Sequence, residues 1–163
     1  MSIHDIVSDL VQKYGTDDPF ELCRYLGVRV RITPLGSLKG LYTYIDNEPV
    51  ILISSRLKRS ARIVVCAHEL GHHVLHSDIA ENAILRDFSF FIMRDKTEYE
   101  ANVFLADLLL SDEDLDELFK DGCTIDEASA NLCLPSDIIR VKMEDMHRRG
   151  FSIPMPDHSV DIF

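Results

Sequence analysis

The stretch Ala67-His68-Glu69-Leu70-Gly71-His72-His73-Val74-Leu75-His76 decides how the rest of the chain is read. On a helix, side chains four apart share one face about 6 Å apart along the axis, so His68 and His72 can reach one ion. Glu69 projects from a neighbouring azimuth, where a carboxylate can hold a water and take its proton. His-Glu-x-x-His on a helix is the two-histidine, one-base arrangement of zinc peptidases. The alternative is a solvated, histidine-rich helix end. The run Ile63-Val64-Val65-Cys66-Ala67 counts against it by carrying the helix into the interior. There, imidazoles and a carboxylate are costly unless paired or metal-bound.

Upstream of the motif, Ile3, Ile6, Val7, Leu10, Val11 and Tyr14 recur with helical spacing and Gly15 stops them, which predicts an amphipathic first helix. Asp18-Pro19 starts a second, with Glu21 placed for a capping box and Gly27 at its end. The period then changes. Val28-Arg29-Val30-Arg31-Ile32 alternates as a half-buried strand, followed by strand candidates at Gly40–Ile45 and Val50–Ile53. The turn Asp46-Asn47-Glu48-Pro49 pairs the last two as a hairpin, and three short strands predict a small antiparallel sheet. Ser54 or Ser55 is placed to cap a motif helix running from about Arg56 to about His76. Its first turns are basic, an unfavourable sign for a helix N-terminus.

Downstream, residues 79–85 read as a short helix or a loop. Phe88, Phe90, Phe91, Ile92 and Met93 form an apolar knot fit to cover the motif helix. Asp95-Lys96-Thr97-Glu98 is a capping-box pattern, opening an apolar helix over Tyr99–Leu110. An acidic helix follows over Ser111–Lys120. Thr124-Ile125-Asp126-Glu127 caps another, and Ser136 is placed to cap the helix that Gly150 ends. The last two resemble half of a helix-turn-helix.

A catalytic zinc takes three protein ligands and keeps one position open. His76 shares a face with His68 and His72, but eight residues of continuous helix separate it from His68 by about 12 Å, too far for one ion. His73 faces elsewhere. Both suit hydrogen bonds to backbone or carboxylate. Asp121-Gly122-Cys123 superficially resembles the cysteine loop of peptide deformylases, yet it follows the motif helix where that family's loop precedes it. A carboxylate on a later helix remains, and Glu98 and Glu100 both qualify by type.

At this point the chain resembles a known family. The motif stretch, followed by Glu98-Tyr99-Glu100-Ala101-Asn102-Val103-Phe104, is similar to the ImmA/IrrE-type metallo-endopeptidases. The similarity reaches upstream through Gly27-Val28, Gly40-Leu41-Tyr42 and Ser54-Ser55, and weakens after Leu110. It implies that the Glu before Ala-Asn, Glu100, is the third metal ligand beside His68 and His72. It implies one Zn2+ per chain and Glu69 as the general base of peptide hydrolysis, with substrate held as an added strand on a sheet edge. Tyr42 or Tyr44 is a candidate oxyanion group. The fold expected is α+β, a mainly helical zincin-like domain with a small, mostly antiparallel three-stranded sheet packed on the active-site helix. One domain is expected over 1–150, with a helical part at 111–150 and a tail at 151–163. The implied substrate is a helix-turn-helix repressor of a phage, mobile element or stress response. A second reading is an antirepressor that binds without turnover, against which the intact Glu69 argues.

Bulk properties fit these expectations. The 163 residues are 46% hydrophobic, with net charge −11 and pI about 4.9. Such an acidic chain is poorly suited to neutralising phosphates, and Asp137, Glu144 and Asp145 interrupt the basic residues of the last helix. No direct nucleic-acid binding is expected. The first residues lack a basic leader and no apolar run approaches membrane length, so the expected location is cytoplasmic. Four widely spaced cysteines are expected to be free and buried.

Overall fold

The computed structural model describes residues 1–82 and 90–153. Its elements are α1 (Ile3–Tyr14), α2 (Pro19–Tyr25), β1 (Arg29–Thr33), β2 (Gly40–Ile45), β3 (Glu48–Ser54), α3 (Arg59–Asn82), α4 (Phe90–Leu109), α5 (Asp112–Lys120), α6 (Ile125–Leu132) and α7 (Ser136–Arg148). The α+β, mainly helical class is as expected. Two compact units divide the chain, Met1–Leu109 and Leu110–Phe163. The readings of residues 83–85 and 154–163, and the packing of the Phe88–Met93 knot, lie outside the described residues.

In the first unit, Ser2 and Asp5 cap α1 reciprocally and Gly15 ends it with φ 69°, a left-handed conformation glycine adopts without penalty. Asp18 caps α2 through the Phe20 and Glu21 amides. Glu21 does not complete a capping box there, since its carboxylate accepts from Thr16 Oγ1 at 2.6 Å.

The sheet has the order β1-β3-β2. β2 and β3 form the expected antiparallel hairpin, turned by Asp46 and Asn47 at φ 54° and 61°; two positive φ angles match the twist of a two-residue hairpin. β1 pairs parallel to β3, Val30 opposite Ile51, so the sheet is mixed and not mostly antiparallel. Alternation along a strand looks the same in either direction, and the Pro34–Lys39 connection lets β1 take the far side of β3.

The motif helix starts at Arg59, later than the serine caps suggested. Ser54 ends β3, and the basic residues secure the turn between. Arg62 donates to the Leu57 and Ser55 carbonyls at 2.8 and 3.0 Å, and Arg56 to that of Gly36 at 3.3 Å. Those bonds explain a charge pattern that the helix dipole disfavours. Cys66, Ala67 and Leu70 turn inward with no exposure. α4 approaches α3 closely at Gly71, where an added Cβ would lie 3.2 Å from Ala101 Cα and from Phe104 Cβ. Cys23 and Cys66 are free and buried, Sγ to Sγ 3.8 Å, whereas Cys133 is exposed, against expectation.

In the second unit, Ser111 caps α5, and Thr124 and Glu127 cap α6 reciprocally. α7 begins after Pro135 without a side-chain cap, so Ser136 is its first residue and not its cap. Leu115, Ala128, Ile139 and Met146 are wholly buried in this unit. Among the described residues, no helix is long and apolar enough to cross a membrane.

Candidate metal centre

The i, i+4 spacing of α3 brings the two motif imidazoles together, His72 Nε2 lying 3.2 Å from His68 Nε2. The opposite wall is α4, and the carboxylate it supplies is Glu98. Its Oε2 is 3.2 Å from His68 Nε2 and its Oε1 3.6 Å from His72 Nε2. Glu100, the ligand implied by the resemblance, is elsewhere: its Oε2 is 3.2 Å from His76 Nε2 and its Oε1 3.6 Å from Lys96 Nζ. The geometry brings His68, His72 and Glu98 together and leaves Glu100 outside the group. The reason lies in the start of α4. The capping-box reading put Thr97 and Glu98 at a helix terminus, but α4 begins at Phe90. Glu98 is thus within the helix, four residues before Asn102 and on the same face.

Two imidazole nitrogens 3.2 Å apart, with one Glu98 oxygen 3.2 Å from the first and the other 3.6 Å from the second, fit a single ion, because tetrahedral bonds of about 2.0–2.1 Å place neighbouring ligands about 3.4 Å apart. The donor chemistry, two imidazoles and a carboxylate, is that of a catalytic zinc. His68 Nδ1 is 2.9 Å from Asn102 Oδ1; with Nδ1 as donor, the lone pair of Nε2 is directed into the cluster. Glu98 is 46% exposed, which leaves the cluster open to solvent on its side.

Glu69 is 9% exposed. Burial pushes its carboxyl up from the ordinary range, against the opposing pull of His68, His72 and the Tyr42 backbone, which hydrogen-bonds it. The hydrogen bonds of His68 and His72 hold Glu98 well below the usual carboxylate range. Two carboxylates with divergent environments, one desolvated and one paired, are what a base and a ligand require. Gly40 makes the Glu69 position possible. A Cβ there would stand 2.4 Å from Val65 Cγ1 and 2.7 Å from Glu69 Oε1, so only glycine lets β2 come this near α3.

His73 is engaged by the sheet, its Nδ1 2.8 Å from the Tyr42 hydroxyl. The Tyr42 side chain considered for oxyanion stabilisation thus has a bond to His73.

The sequence profile described as the IrrE N-terminal-like domain matches residues 23–142. The chain is 33% identical over 137 residues to "Uncharacterized immunity region protein 2" of Bacillus phage phi105, covering 83% of this chain and 85% of that protein. It is 24% identical over 159 residues to "Metallopeptidase ImmA" of Bacillus subtilis (strain 168), covering 96% and 92%.

Proposed function

Because the chain belongs to the IrrE N-terminal-like domain family, we propose that it is a zinc-dependent endopeptidase with His68, His72 and Glu98 as metal ligands and Glu69 as general base. The observation that carries this is the convergence of three donor atoms at ligand spacing beside a buried carboxylate. A zinc ion held there supplies Lewis acidity, which acidifies water and polarises a scissile carbonyl. Glu69 takes the water proton and delivers it to the leaving amine. The Tyr42 backbone and the glycine gap at residue 40 hold that carboxylate in place. Asn102 fixes the tautomer of His68.

The substrate proposed is a helix-turn-helix repressor, cleaved at a specific site in the cytoplasm. The similarity to a phage immunity-region protein and to a metallopeptidase named ImmA supports this. So does the net charge of −11, which favours encounter with a basic DNA-binding protein.

Zinc measured on the purified chain by mass spectrometry is expected at about one per chain. Glu69→Gln is expected to keep the metal and lose cleavage by about 10²-fold or more, and Glu98→Ala to lose the metal. Full zinc occupancy and activity in Glu98→Ala would falsify the ligand assignment. Repressor release that survives Glu69→Gln would leave binding without turnover as the function.

A further inference from the structure

One turn beyond the two ligand histidines, α3 breaks. His76 has φ −137° and ψ 22°, and its side chain is only 10% exposed, with Nε2 wholly buried and making no hydrogen bond. This imidazole meets α4 twice. Nε2 is 3.2 Å from Glu100 Oε2, and the Thr97 backbone takes a hydrogen bond from the ring. Thr97 directly precedes Glu98 and Glu100 follows it by two residues, so the two contacts bracket the carboxylate ligand. The other Glu100 oxygen faces Lys96 Nζ at 3.6 Å, which turns that side chain away from the cluster.

We infer that His76 and Glu100 form a latch between the break in α3 and the turn of α4 that carries Glu98, tuning metal affinity without ligating the ion. The inference rests on the metal reading above. Its physical basis is that Glu98 is long and half-exposed, so its carboxylate can be no better placed than the turn beneath it. A helix residue turns about 100° from its neighbour, and a slight roll of α4 moves the carboxylate off the point defined by His68 and His72. Side chains that orient a ligand from behind are worth about 10–100-fold in metal affinity. His76 and Glu100 thereby have a common purpose, and neither is a spare ligand.

Zinc titration of the full chain against a chromophoric chelator tests this. His76→Ala and Glu100→Ala are each expected to bind one zinc with a Kd raised about 10-fold or more. Glu100→Gln, whose amide N–H can donate to Nε2, is expected to stay within about threefold of wild type. The visible absorption of bound Co2+ is expected to shift in His76→Ala, while melting of the metal-free protein is unchanged. A His76→Ala chain with wild-type Kd and cobalt spectrum overturns the latch. If His76→Ala melts lower without metal, the two Glu100 variants decide, and equal losses in both overturn it. Complete loss of zinc in Glu100→Ala with retention in Glu98→Ala would make Glu100 the ligand and overturn it as well. Absence of zinc binding in wild type would instead strike the metal reading itself.

Discussion

Two polar clusters, one in each unit, use similar side chains and end in opposite electrostatic states. In the first unit, two imidazoles and Glu98 converge through atoms that can all act as acceptors. In the second, Asp112 brings its own cations. Lys142 Nζ is 2.7 Å from Oδ1, and Arg149 grips the carboxylate with two nitrogens at 2.5 and 2.8 Å while also donating to Asp145 at 2.8 Å. Lys142 is 1% exposed, a burial that an ammonium tolerates only when paired. The contrast separates a site from a strut. A cluster whose charges cancel internally suits a structural role, whereas one whose lone pairs meet at a point suits a cation.

Removing one partner from each cluster should have opposite consequences. Asp112→Ala leaves Lys142 buried without this carboxylate and is expected to cost about 3 kcal/mol of stability. Lost amide-exchange protection in α7 would report it, and an unchanged melt would show that Asp112 is no strut. Acid should act in the same place. Burial pushes the Asp112 carboxyl up, but Arg149 and Lys142 more than offset this and hold it well below the usual range. A depressed folded pKa means the contribution is complete above the unfolded value of about 3.9 and is lost as pH falls below it. Melting between pH 6 and pH 2.5 should therefore be less steep in Asp112→Asn than in wild type.

The close approach of β2 to α3 places Glu69, the proposed base. Gly40→Ala puts a Cβ within 3.0 Å of both Val65 and Glu69, so β2 or the Glu69 carboxylate must shift. Displacing a catalytic group by about 1 Å costs about 10²-fold in rate. The expected outcome is kcat down by about that factor with zinc stoichiometry intact. Equal loss of metal would mean that Gly40 supports the whole cluster and not the base alone.

The sequence showed some of this and hid the rest for identifiable reasons. His68, Glu69 and His72 were legible because helix periodicity alone sets their geometry, and the β2–β3 hairpin because Asp46-Asn47 announces its turn. Glu98 was not. The pattern Asp95-Lys96-Thr97-Glu98 satisfies a capping box, a local signal that explains the residue without any chemistry, and tertiary context extended α4 through it. A usable signal was present in Glu98 and Asn102, which repeat on α4 the i, i+4 spacing of His68 and His72. The parallel β1 pairing was hidden because strand direction leaves no mark in alternation. Arg56 and Arg62 looked misplaced until the carbonyls they cap were seen.

The last prediction concerns the cluster of the first unit. Asn102 touches no metal position, yet its Oδ1 lies 2.9 Å from His68 Nδ1. In Asn102→Ala the His68 ring is free to rotate and to place its proton on either nitrogen, so part of its population presents N–H where a lone pair is needed. Zinc affinity should fall about 10-fold, or about 1.4 kcal/mol. Asn102→Asp restores an acceptor and adds charge, and should hold zinc at least as tightly as wild type. If Asn102→Ala binds zinc unchanged, His68 is oriented by packing alone. The first cluster would then owe its geometry to the close α3–α4 contact at Gly71, as the second owes its own to paired charge.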